Sequence, residues 1–308
     1  MNEPVQSEPK LVEPIWAFVR VIIYIFLVVV GMLGSGNVIS QNFPELVTSM
    51  GLYGQCVSEI VMLTIGAVLA AIFTRNELKS FVDDIGLFRN RAIPEVIVGF
   101  SIGMIIVGTM FGVMYLCGGY SVTKVNWPID FVPALVLYFF AGLTEEFLFR
   151  GYIFRTFEKS GGTIYAIIFS SLCFGFAHFF NMPEDASLGY KTYACLILSF
   201  EAGLPLSGAF LLTRSLWLAV GFHWAWNFLE GTVFGVAVSG TDAGPAIFTA
   251  HMTGNQYISG GVFGPEAGLP FFTVGVLTGL GMIFLALKQR KWSLTAGTDI
   301  GPISRTDL

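Results

Sequence analysis

Three short runs in this chain place acid–base and hydrogen-bonding groups where apolar residues would cost less. The first is Thr144-Glu145-Glu146-Phe147-Leu148-Phe149-Arg150-Gly151. On a helix, Glu146 and Arg150 are four residues apart and share a face. The acid precedes the base, the better order for such a pair, and a desolvated Arg can hold a carboxylate through two hydrogen bonds. Glu145 is rotated about 100° from Glu146. It stands outside that pair and is available as a general base.

The second run is Phe174-Gly175-Phe176-Ala177-His178, and the third is His223-Trp224-Ala225-Trp226-Asn227. His223 and Asn227 project from one helical face. Each run also has a plainer reading. A lone His near a membrane surface is more often a hydrogen-bonded interface residue than a catalyst. A His/Asn pair in a membrane helix often serves interhelical hydrogen bonding, worth only about 0.6–2 kcal/mol. The third histidine, His251, falls in a polar stretch and reads as a solvated loop residue. Glu59 and Glu201 lie in apolar runs without companions at helical spacing. Glu201, beside a Gly-Leu-Pro break, is a weak candidate for substrate contact, with a structural role favoured.

The elements that must carry these residues are membrane helices. The chain of 308 residues is 54% hydrophobic and 12% charged, against about 25% charged in a soluble domain. Its net charge of −5 offers no basic surface for nucleic acid. A bilayer core takes about 20 mostly apolar residues to cross. Eight segments qualify, at roughly 15–34, 50–73, 95–118, 130–152, 162–180, 190–212, 215–238 and 269–287. The fourth is expected to continue as a helix to about Lys159, the sixth and seventh to form a tight hairpin, and 239–268 to be a long loop. The expected fold is an all-α polytopic transmembrane helix bundle, one membrane-embedded domain over 1–308, in a multi-pass protein of a bacterial plasma membrane.

Lys and Arg set the expected orientation. Lys10, Arg75, Lys79, Arg89, Arg91, Arg155, Lys159, Arg214, Lys288, Arg290, Lys291 and Arg305 fall on one side, and only Lys124 and Lys191 on the other. Both termini are therefore expected in the cytoplasm. The first span, with an acidic lead-in and no Ala-x-Ala exit, reads as retained rather than cleaved. Cys56, Cys117, Cys173 and Cys195 lie in apolar runs without metal or redox spacing and read as small hydrophobes.

Together the three runs resemble the CPBP family of intramembrane proteases, also called the CAAX prenyl endopeptidase type II or abortive-infection family. The resemblance rests on Glu145-Glu146-x-x-x-Arg150, Phe174-x-x-x-His178 and His223-x-x-x-Asn227, in that order, with Arg214-Ser215-Leu216-Trp217 before the last. Gly260-Gly261-Val262-Phe263-Gly264-Pro265-Glu266 looks like a turn common in bacterial members. The resemblance covers roughly residues 130–230. It implies a glutamate-dependent endopeptidase without a cofactor or metal, acting on a membrane-tethered peptide or protein in the lipid bilayer. Glu145 would activate water, and His178 would position that water or share its proton. His223 and Asn227 would stabilise the oxyanion, while Glu146, Arg150 and Phe174 support the site, in a cavity expected near the cytoplasmic side.

Three other readings stand beside this one. Glu145, His178 and His223 could supply three zinc ligands and leave a position for water, although no His-Glu-x-x-His helix is present. The chain could be a non-catalytic scaffold, a bacteriocin self-immunity factor or a regulator of another membrane protein. A transporter would place charged groups in both halves of the bundle, whereas here they concentrate in the second.

Overall fold

A computed structural model describes residues 14–42, 51–75, 78–87, 90–127, 129–242 and 244–289. Helix α1 covers Pro14–Asn42, α2 Leu52–Phe73, α3 Leu78–Asp84 and α4 Ala92–Leu116. Helix α5, Val132–Glu146, runs through a π-helical turn, Phe147–Ile153, into α6, Phe154–Gly161. Then come α7 (Thr163–Ala177), α8 (Leu188–Glu201), α9 (Gly203–Thr213) and α10 (Leu216–Phe228). A second π-helical turn, Leu229–Val233, follows α10, and α11 spans Leu269–Lys288.

Among the described residues, seven helical stretches are long and apolar enough to cross a membrane: Pro14–Gly36, Leu52–Phe73, Ala92–Leu116, Val132–Gly161, Thr163–Asn181, Leu188–Thr213 and Leu269–Lys288. The protein is a multi-pass membrane protein. Of the eight expected spans, the one at 215–238 falls short of this test. Helix α10 has 13 residues, its π turn adds five, and His223, Asn227 and Glu230 dilute its apolar character. Helix α1 runs on to Asn42, through the Gly34-Ser35-Gly36-Asn37 exit expected at its end. Glycine is better tolerated in membrane helices than in soluble ones.

The all-α expectation needs one amendment. Strand β1, Tyr120–Val125, pairs antiparallel with β2, Phe248–Met252, in a two-stranded sheet with a bulge between Val122 and Lys124. The stretch 239–268, expected as a loop, therefore contains β2, and also a helical turn at Gln256–Ser259. His251 pairs with Ser121 in the sheet and is exposed.

Glycine lets backbones touch at the two most intimate helix contacts. A Cβ on Gly99 of α4 would lie 2.2 Å from the Leu218 carbonyl oxygen of α10. One on Gly221 would lie 2.2 Å from the Val96 oxygen, and one on Gly103 2.8 Å from the Phe222 oxygen. Gly275 and Gly279 of α11 approach Glu201 and Leu204–Pro205 in the same way. Gly99/Gly103 and Gly275/Gly279 are both glycine pairs four apart, the small-residue spacing that brings membrane helices close. The opposite surfaces face lipid through residues such as Ile15, Phe26, Ile93, Ile105 and Leu277, all exposed.

Arg214 alone, in a left-handed conformation, caps α9 before Ser215 opens α10, which gives the expected tight hairpin. Arg214 forks onto Glu158 at 2.9 and 3.0 Å. Glu158 also bonds Thr163 and Arg155, and Arg155 reaches Asp84 of α3. Two of the arginines counted for orientation thus sit in a partly buried ion network. Lys10, Arg89, Arg290, Lys291 and Arg305 lie outside the described residues.

Candidate active site

Helix α5 brings Glu145 and Glu146 into the bundle as adjacent residues with different environments. Glu146 is fully buried. Its Oε1 accepts from Arg150 Nη1 at 3.1 Å and lies 2.9 Å from His223 Nδ1. The expected Glu146–Arg150 pair is present, and Glu146 also reaches across to α10 to hold the histidine. A carboxylate only accepts, so His223 Nδ1 carries a proton and Nε2 is turned the other way. Arg150 also donates to the Gly203 carbonyl at 3.3 Å and lies 4.6 Å from the centre of the Phe174 ring, a cation–π distance.

Helix α7 ends at His178. Its Nδ1 lies 2.9 Å from the Phe174 carbonyl oxygen one turn earlier. A carbonyl accepts only, so this nitrogen too is the protonated one and Nε2 points away from its own helix. The Phe174 ring lies 5.0 Å from His178 and 5.9 Å from His223, and Phe149 packs on it at 5.2 Å. Phe174 is the apolar spacer that sets the two imidazoles apart.

Glu145 stands between them. Its Oε2 is 3.8 Å from His178 Nε2 and 3.8 Å from His223 Nε2. These distances exceed a direct hydrogen bond and suit groups bridged by a small third partner. The Glu145 side chain keeps about 21% of its surface open, yet Oε2 is buried without a hydrogen-bond partner. Glu145 falls near the middle of the 30-residue Val132–Gly161 stretch.

Asn227, one turn after His223, is not joined to Glu145. With His223, Phe174, Trp226 and Glu266 it lines a cavity of about 10 Å³, about the room one water needs. Among the described residues, no three His, Cys, Asp or Glu side chains are grouped to hold a metal ion.

Residues 126–229 match the family described as type II CAAX prenyl endopeptidase Rce1-like. Over that segment the chain is similar to the Rce1-like family. The match covers about a third of the 308 residues and includes every residue of the three runs. It supports a membrane peptidase, in line with the CPBP resemblance. No curated protein and no solved structure matches the chain.

Two glutamates outside the Rce1-like segment adjoin the site. Glu266 is buried, and its Oε2 accepts from the Ser239 N–H at 2.6 Å and the Ser239 hydroxyl at 2.8 Å. Burial holds its carboxyl above the usual carboxylate range, against the opposing pull of Ser239. The turn at 260–266 had marked this segment in the sequence, but nothing there tied Glu266 to the histidines. Glu59 of α2, whose carbonyl accepts from the Thr144 hydroxyl at 3.1 Å, interacts electrostatically with Glu145 and His223, a neighbourhood that helical spacing within α2 does not reveal. Glu201 is fully buried at the end of α8, with neither carboxyl oxygen hydrogen-bonded. It interacts with Glu266, away from Glu145.

Proposed function

We propose that the protein is an intramembrane, glutamate-dependent endopeptidase that cleaves a membrane-associated peptide or protein in a bacterial plasma membrane. The observation that carries this reading is Glu145 Oε2, equidistant from two imidazole Nε2 atoms at 3.8 Å. A water lodged between them meets a carboxylate able to take its proton, and the nearby His178 Nε2 accepts a hydrogen bond and orients it. The water oxygen adds to the scissile carbonyl carbon as its proton passes to Glu145. The developing oxyanion needs donors. Asn227 offers its amide N–H. His223 offers Nε2–H when both ring nitrogens hold protons, and Glu146 then balances the imidazolium from the Nδ1 side. Collapse breaks the C–N bond, and the proton on Glu145 goes to the departing amine.

The family description points to C-terminal Cys-aliphatic-aliphatic-X sequences carrying a prenyl chain as the first substrates to try. A membrane-tethered bacteriocin or signal precursor is the second class. The test uses purified protein in lipid vesicles with a quenched-fluorescence farnesylated peptide of that type, beside a comparison of membrane peptides between a deletion strain and its complemented parent. Cleavage that persists after metal stripping and is lost in Glu145→Gln is expected. Full activity in Glu145→Gln, or no cleavage product in either assay, overturns the reading. Loss on chelation with recovery on adding zinc overturns the glutamate-only chemistry.

A further inference from the structure

Resting on the endopeptidase reading, we propose that Glu266 is a positioning residue for the reaction: through one water in the cavity it shares with Asn227, it holds the Asn227 amide with its N–H towards the oxyanion.

Glu266 sits in the short turn Pro265–Ala267, just before α11, and is buried. Its Oε2 accepts from the Ser239 N–H and hydroxyl at 2.6 and 2.8 Å. Ser239 is held in turn, its carbonyl accepting from Asn181 Nδ2 at 2.9 Å. Asn181 closes the turn after His178, with its N–H on the His178 carbonyl at 3.1 Å. Tyr190 of α8 braces the other side of the segment. Its hydroxyl donates to the Gly260 carbonyl and accepts from the Phe263 N–H at 3.1 Å. Glu266 is thus a fixed acid, tied by hydrogen bonds to the turn that follows one catalytic histidine.

Its carboxyl borders the cavity of about 10 Å³, where a single water would fit and take about three hydrogen bonds. The other polar side chains on the walls are His223, Asn227 and Trp226. His223 is already directed elsewhere, with Nδ1 at 2.9 Å from Glu146 and Nε2 at 3.8 Å from Glu145. Trp226 Nε1–H is buried without a hydrogen-bond partner among the described residues and can only donate. Both Ser239 bonds fall on Oε2, which leaves Oε1 to accept from the water. The water then accepts from Trp226 and from one Asn227 N–H. The carboxylate charge favours the N–H end of the amide over its oxygen in so dry a place. Asn227 Nδ2 thus stands between cavity and site, and its second N–H is left for the oxyanion. Turned over, the amide would set Oδ1 against a developing negative charge.

Glu266→Gln separates this role from a structural one. Ser239 N–H can only donate, so the new amide keeps its oxygen on Ser239 and turns its N–H into the cavity. A donor replaces the acceptor there, and Asn227 is drawn round to offer Oδ1. The test measures kcat and KM in lipid vesicles with the quenched farnesylated peptide, with thermal unfolding as the check on folding. Glu266→Gln is expected to lose about tenfold in kcat, the scale of one misdirected hydrogen bond, with KM and unfolding temperature little changed. Asn227→Ala is expected to lose about 100-fold, as for an oxyanion donor, and Glu266→Gln added to it should cost nothing more. Ser239→Ala removes one bond on Oε2 and keeps the carboxylate. It gives the same comparison if Glu266→Gln does not fold, with a loss of about threefold that disappears in Asn227→Ala. Three results overturn the proposal while Glu145→Gln stays inactive and the endopeptidase reading stands. These are wild-type kcat in folded Glu266→Gln, a loss that appears in KM alone, and the same fold-loss with and without Asn227. Full activity in Glu145→Gln, or no cleavage by wild type, overturns the endopeptidase reading itself.

Discussion

At the scale of single residues, the two adjacent glutamates divide the work. Glu146 is the joint between α5 and α10: one oxygen holds both Arg150 and His223. Replacing Arg150 with Met is expected to leave Glu146 buried without its cation, at a cost of about 3–5 kcal/mol, read as a fall in thermal unfolding temperature in detergent. Glu146→Gln is expected to keep more of the fold but to lower kcat about 100-fold or more, since His223 loses the anion that balances its charged form. A kinetic assay with KM and kcat separated checks this. The different surroundings of Glu145 and Glu146 were legible in the sequence because helical phase alone separates neighbours. The Glu146–His223 contact was not, since 77 residues separate the partners. Glu59 and Glu266 were missed for the same reason: an isolated acid in an apolar run shows no pattern until another helix packs on it.

At the scale of elements, hydropathy marked the helices well and their ends poorly. The seventh expected span carried the polar residues of the site, and these are what weaken it as an apolar stretch. Neither π-helical turn was visible in the sequence, because a shift in backbone hydrogen bonding leaves the apolar pattern intact. The first begins inside a run of site residues and contains Arg150, and the second begins two residues after Asn227; π turns are common at functional sites. The β1–β2 pairing was equally hidden, since its strands are short and more than 120 residues apart. The glycine stripe leads to a direct expectation. Gly221→Val puts a side chain where a Cβ would already lie 2.2 Å from Val96 oxygen, so α4 and α10 must part. Cleavage and thermal stability should both fall sharply, whereas Gly112→Val, with open space around it, should change neither. Glu266 gives a second one. Ser239 holds a left-handed conformation at φ 48°, and its N–H and hydroxyl both rest on Glu266. Glu266→Ala strands these donors at a cost of about 1–3 kcal/mol, and limited proteolysis between residues 235 and 264 should quicken.

At the scale of the whole molecule, charge bias predicts which face meets the cytoplasm. Cys117, exposed just after α4, is expected on the outer side with the β1–β2 sheet. A membrane-impermeant maleimide added to intact cells is expected to label Cys117, and to label a cysteine introduced after α11 only once the cells are opened. The reverse pattern would invert the orientation. The division of the chain was partly legible: the polar groups concentrate in its second half, and the Rce1-like match falls there. The first half is less idle than its sequence implied, since α2 supplies Glu59 and α4 is the surface on which α10 rests.

That resting surface has a mechanical character. Gly99, Gly103 and Gly221 leave α4 and α10 touching largely through backbone, with only the small Ala225 side chain against Gly103. His223 is carried by α10, while Glu145 belongs to α5. A bilayer thicker or thinner than the apolar belt imposes a small strain along the helix axes, and here that strain acts on the gap between base and imidazole. Acyl-chain length is therefore expected to change the cleavage rate, read as kcat in vesicles of shorter and longer lipids.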